Sequence, residues 1–233
     1  GEDVLHDVSF RVAQGERIGV VGWTGAGKST LIRLLARLYD VRSGRILVDG
    51  IDVREWDTGD LRRELGVVLQ DHFLFAGSVR SNVSLDDPRV DEERVREALR
   101  LVDAEAFVQR LPGGLDEEVR ERGSNFSVGE KQLLSFARAL AFEPSIVVLD
   151  EATASVDPET EARIQGALEK VLEGRTSITI AHRLSTVRSA DRILVLHRGR
   201  LVEEGSHDEL VALEGGIYRA LVQLQSADSH GAP

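Results

Sequence analysis

The 233-residue chain has no cysteine and no methionine, only five prolines, and few aromatic residues (5%). Without cysteine there are no disulfides and no thiolate metal sites, a composition that fits a reducing compartment. Without an initiator methionine, the chain reads as a piece cut from something longer. It has no run of about 18 apolar residues, so no stretch reads as a membrane span. No secretory signal opens it. A formal net charge of −11 argues against broad nucleic-acid binding. What the chain does have is 42% hydrophobic content, enough for one substantial α/β core or two small lobes.

One stretch organises the rest. Gly22, Trp23, Thr24, Gly25, Ala26, Gly27, Lys28, Ser29 and Thr30 fit the pattern G-x4-G-K-[ST] at every fixed position. Residues 17–21 before it read as a short buried strand. After it, Leu31, Ile32, Leu34, Leu35 and Leu38 recur at helical spacing. Strand, glycine loop and helix are what phosphate binding needs. Glycines let backbone N–H groups turn inward around phosphate oxygens, and the helix N-terminus adds partial positive charge and unpaired donors. In that frame Lys28 reaches the β- and γ-phosphates, and Ser29 offers its hydroxyl to Mg²⁺.

The remaining pattern alternates strand and helix, which predicts a mostly parallel sheet. Val8, Phe10 and Val12 alternate as in a strand. Residues 45–50 read as a further strand closing on an Asp-Gly turn. Residues 73–142 carry short helical patterns and read as a helical lobe inserted into the α/β core of residues 1–72 and 143–233. The apolar run 145–149 reads as a strand buried on both faces. Asp150 and Glu151 follow it directly, at the strand end where α/β ligand sites lie. One acid there can hold Mg²⁺ and the next can orient or deprotonate an attacking water. Gln70 and His182 stand at or just beyond other strand ends and are candidate γ-phosphate sensors. Asp157 stands before Pro158, where an N-cap is the plain reading.

Taken in order, these motifs resemble the nucleotide-binding domain of ATP-binding-cassette transporters over nearly the full chain. Residues 22–30 are similar to Walker A and 146–151 to Walker B. Gln70 matches the Q-loop, Asp157 the D-loop and His182 the switch histidine. Phe126, Ser127, Val128, Gly129 and Glu130 fall where the family's LSGGQ signature lies. Glu118, Val119, Arg120, Glu121, Arg122 and Gly123 resemble the exporter X-loop. The resemblance implies a P-loop NTPase (RecA-like) α/β core with a parallel sheet, an antiparallel β-subdomain and an inserted α-helical subdomain. It implies MgATP as ligand, with Ser29, Gln70 and Asp150 placing the metal and Lys28, Glu151 and His182 acting on the phosphates and water. It further implies a head-to-tail dimer, homo- or heteromeric, in which Ser127, Gly129, Glu130 and Asp157 act in trans. A transmembrane domain would be met through the Gln70 region and loop 118–123, at the cytoplasmic face of the membrane.

The chain departs from the family pattern in three places. Val128 and Glu130 replace a glycine and a glutamine of the signature. Glu130 is expected to point away or to pair with Lys131. The N-terminal strand with its adenine-stacking aromatic is not in this chain, and Trp23 brings unusual bulk to the loop. An intact Walker B beside an altered signature suggests one half of a heterodimer. Two other readings stay open: an ABC-class ATPase without a membrane domain, and a nucleotide clamp with little hydrolysis.

Overall fold

The computed structural model describes residues 3–151, 158–181 and 184–230. These fall into two compact units. One is drawn from Gly1–Arg62, Val148–Ala152 and Thr176–Pro233, the other from Arg63–Val147 and Thr153–Arg175.

The first unit is built on strands β1 (Arg17–Val21), β8 (Thr176–Ala181), β9 (Arg192–His197) and β10 (Arg200–Gly205). β1 runs parallel to both β8 and β9, in register Val20↔Ile180 and Val21↔Val195. β10 returns antiparallel to β9, with a register shift between Leu201 and Glu203. Four of the five β1 residues are buried, as expected for a strand covered on both faces. β7 (Ile146–Glu151) follows β8 in the sheet order and ends in this unit. β2 (Leu47–Val48) and β3 (Ile51–Asp52) form a small antiparallel hairpin. Its turn residues Asp49 (φ 51°) and Gly50 (φ 80°) are both left-handed, the signature of a type I′ Asp-Gly turn.

The Val8, Phe10, Val12 alternation survives as half-buried side chains between exposed neighbours, but no strand is assigned there. Alternation marks a two-sided segment and not a ladder partner, and a strand needs both. At the other end of the unit, α9 (His207–Ala212) and α10 (Ile217–His230) close a cluster of Val21, Val187, Ile193, Val195, Leu210 and Tyr218.

The second unit is helical around α6 (Val128–Leu140), which buries nine of its thirteen residues. A helix covered on most of its sides belongs at a centre. It packs against α3 (Val79–Ser84), α4 (Glu92–Leu101) and α7 (Pro158–Leu172). Gly66 on β4 (Leu65–Val68) meets Pro144 and Ala139 O. Two short strands, β5 (Gly77–Ser78) and β6 (Glu118–Val119), pair antiparallel within the unit; the sequence gives little hint of them. The starts of α3 and α4 are capped by side chains, which satisfy some of their free N–H groups. Asp91 accepts from Arg94 N on α4, and Ser78 and Ser81 form a capping box on α3.

Candidate functional site

The glycine loop connects β1 to α1 (Lys28–Leu35). Its geometry is set by close contacts that leave no space for side chains. Gly22 has φ 149°, and a Cβ there would stand 2.1 Å from the carbonyl oxygen of Leu196. Gly27 caps α1 in the left-handed region, with φ 102°. Beneath the loop, Gly199 N donates to Ala26 O (3.2 Å) and His6 N donates to Gly199 O (2.7 Å). Leu5 lies against Gly27. The turn between β9 and β10 and the N-terminal segment therefore buttress the loop. Nothing in the sequence marks a contact so distant along the chain.

Lys28 is the first residue of α1 and is buried. Its ammonium donates to Gly22 O (2.7 Å) and Trp23 O (3.1 Å), so the charge lies inside the curl of the loop. Burial pushes its pKa below the ordinary lysine value, and the Asp150 carboxylate partly offsets that. Asp150, on β7, is 8% exposed. Its Oδ1 has no hydrogen-bond partner among the described residues. A buried, orphaned carboxylate oxygen is costly unless a cation or donor meets it. Ser29 and Thr30 are half-buried on the first turn of α1, whereas Thr24, Gly25 and the 46%-exposed Trp23 face outward.

The donor set fits Mg²⁺. That ion is held by one or two protein oxygens together with substrate phosphates and water, so no larger cluster is needed, and among the described residues there is none. The side chain of Glu151, and Asp157 and His182 altogether, lie outside the described residues.

In the second unit, Gln70 is exposed two residues beyond β4. The loop after it is anchored by Arg138, which donates to Phe73 O (2.9 Å), Asn82 O (2.7 Å) and Asn82 Oδ1 (2.9 Å). Its guanidinium lies 5.3 Å from the centre of the Phe75 ring. Burial pushes its pKa down to about 10. His72 is packed edge-on against Phe136, and burial pushes its pKa down to about 4. Sequence reasoning missed both residues, because their role appears only when the loop folds back on α6.

At the head of α6, Ser127 Oγ accepts from Glu130 N (3.2 Å). The Glu130 carboxylate accepts from both Ser127 N and Ser127 Oγ (2.9 Å each). Glu130 thereby closes a capping box with Ser127. Gly129 lets α6 approach α7 closely, since a Cβ there would stand 2.4 Å from Thr160 Cγ2.

A phosphate loop between a buried parallel strand and a helix, with a buried acid on the apolar strand β7, defines a P-loop NTPase fold. The comparisons narrow this. The family model for ABC transporters matches residues 5–154, and the chain belongs to that family as an ATP-binding domain of exporter type. It is 53% identical over 230 residues to YheH of Bacillus subtilis, an ATP-binding/permease protein named for multidrug resistance; the match covers 99% of this chain and 34% of that protein. It is 49% identical over 223 residues to the ABC transporter ATP-binding protein exp8 of Streptococcus pneumoniae, covering 96% of this chain and 38% of that one. The fold matches a bacterial Atm1-family ABC exporter solved with ATP bound, at TM-score 0.90 and 43% identity over 100% of this chain and 40% of that one. The chain thus spans between a third and two fifths of the length of these relatives. Among the described residues, no helix is long and apolar enough to cross a membrane.

Proposed function

We propose that this domain binds and hydrolyses MgATP and that closure of two such domains on ATP powers export by a transmembrane domain. The observation that carries the reading is the buried Lys28 ammonium, held inside the curl of the loop by Gly22 O and Trp23 O, together with a buried Asp150 oxygen that has no hydrogen-bond partner among the described residues. Lys28 and the loop amides of residues 22–30 neutralise β- and γ-phosphate charge. To reach the phosphates, the Lys28 ammonium exchanges its bonds to Gly22 O and Trp23 O for phosphate oxygens. Ser29, Asp150 and Gln70 would hold Mg²⁺, which when bound supplies charge neutralisation on the phosphates. Glu151 orients the attacking water and accepts its proton, and His182 holds the γ-phosphate. Trp23 packs beside the nucleotide.

The wider assignments go with the family reading. The core comprises 1–72 and 143–233, and the helical lobe 73–142. Ser127, Gly129, Glu130 and Asp157 face the nucleotide of a second domain, in a homo- or heterodimer. The Gln70 region and loop 118–123 meet the membrane domain at the cytoplasmic face of the membrane. Supporting this are the names of the relatives, which join ATP-binding and permease parts in one protein.

The test is nucleotide binding by the full-length gene product, wild type against Lys28→Ala. The substitution removes a buried cation from the phosphate cradle, so ATP affinity should fall by at least about tenfold, with Tm lowered only modestly. Equal affinity would place the phosphates elsewhere.

A further inference from the structure

We propose that Asn125 is a positioning residue that fastens loop 118–123 to the head of α6, so that the two move as one body. The proposal rests on the reading of the chain as an exporter ATPase domain. The Asn125 carboxamide accepts from Arg120 N (3.0 Å) and donates to Glu118 O (2.8 Å). In a strand, the carbonyl of one residue and the N–H two residues on point to the same side. On β6 the opposite edge is already taken: Val119 pairs with Gly77, and Glu117 O accepts from Val79 N (3.1 Å). Asn125 thus closes the free edge of β6 with one donor and one acceptor, as a third strand would.

The way back from β6 to Asn125 is a tight reversal through two left-handed residues, Arg122 (φ 55°) and Gly123 (φ 62°). Gly123 is buried, and its carbonyl accepts from Phe126 N (3.0 Å). Only Phe126, 7% exposed, separates Asn125 from Ser127. Ser127 is in turn locked to Glu130 on the first turn of α6. From Glu118 to Glu130 the chain is therefore braced by hydrogen bonds at each step, and a displacement of the loop is passed to the helix head. Both Asn125 bonds are exposed and compete with water, so their contribution lies in fixing register more than in stability. Only a carboxamide of this length supplies both bonds. Aspartate keeps the acceptor for Arg120 N–H but turns a carboxylate toward Glu118 O.

The experiment is hydrogen–deuterium exchange on the full-length gene product in lipid nanodiscs, with and without ATP, Mg²⁺ and vanadate. ATP turnover is measured on the same samples. In the wild type, amides of 118–123 and of 127–132 should change protection together on adding nucleotide. In Asn125→Ala the response of 127–132 should persist while that of 118–123 is lost, with KM for ATP unchanged. Asn125→Asp should lose it too, and serves where the alanine variant lowers thermal stability. A residue with only a structural role would lower protection of both segments without nucleotide and leave their joint response intact; that result overturns the proposal. So does a wild type that hydrolyses ATP while the two segments respond independently. A wild type that does not hydrolyse ATP at all fails the ATPase reading itself.

Discussion

Replacing Glu130 separates two effects that the capping box combines. The carboxylate accepts from Ser127 N and Ser127 Oγ, and it places a negative charge on the first turn of α6. Glutamine keeps an acceptor and removes the charge; alanine removes both. Losing a cap costs about 1 kcal/mol, and losing a favourable charge at a helix N-terminus costs about 0.5 kcal/mol. For a chain of this size, 1 kcal/mol moves Tm by about 2–4 °C. Glu130→Ala should therefore lower Tm by about 3–6 °C and Glu130→Gln by no more than about 2 °C, read by differential scanning fluorimetry. The functional consequence has the opposite sign. A phosphate charge ~8 Å from Glu130 at an effective dielectric near 20 is repelled by about 2 kcal/mol before screening, and by less than about 1 kcal/mol at physiological salt. Glu130→Gln should thus strengthen ATP-dependent association of two domains by about threefold to fivefold, read by ATP-dependent crosslinking between the domains of the full-length gene product. If Glu130→Ala leaves Tm unchanged, or glutamine destabilises as much as alanine, the capping assignment is wrong.

Three further substitutions follow from the geometry. Gly22→Ala forces a Cβ to within 2.1 Å of Leu196 O at φ 149°; it should lower stability by at least about 2 kcal/mol and weaken ATP binding in a filter-binding assay. Arg138→Lys keeps the charge but loses the planar fork that reaches Phe73 O, Asn82 O and Asn82 Oδ1; chemical denaturation should register a loss of about 2 kcal/mol. Tyr218 is fully buried, with its hydroxyl 2.8 Å from His207 Nδ1. Tyr218→Phe removes that bond and should cost about 1 kcal/mol by thermal denaturation.

What could be read from the sequence was whatever local spacing encodes. The loop at 22–30, the apolar run ending in Asp150 and Glu151, and the faces of α4 and α6 all follow from periodicity, capping and glycine placement. The buttress under the loop was not readable, because Leu5, Leu196 and Gly199 are tied to it by chain reversal alone. The two-residue strands β5 and β6 are too short to carry a period. The segment of Val8, Phe10 and Val12 has the period of a strand without a ladder. The role of Glu130 at the helix start is local. Three residues after Ser127 it completes a capping box, a spacing the sequence contains.

The proposed function makes Glu151 the acid beside the attacking water. The most direct test is ATP turnover by the full-length gene product, wild type against Glu151→Gln, with ATP binding measured on the same samples. Binding should be retained while turnover collapses by at least about a hundredfold. Unchanged turnover with unchanged binding would contradict it, and would make this domain a nucleotide-gated clamp beside a partner that does the hydrolysis.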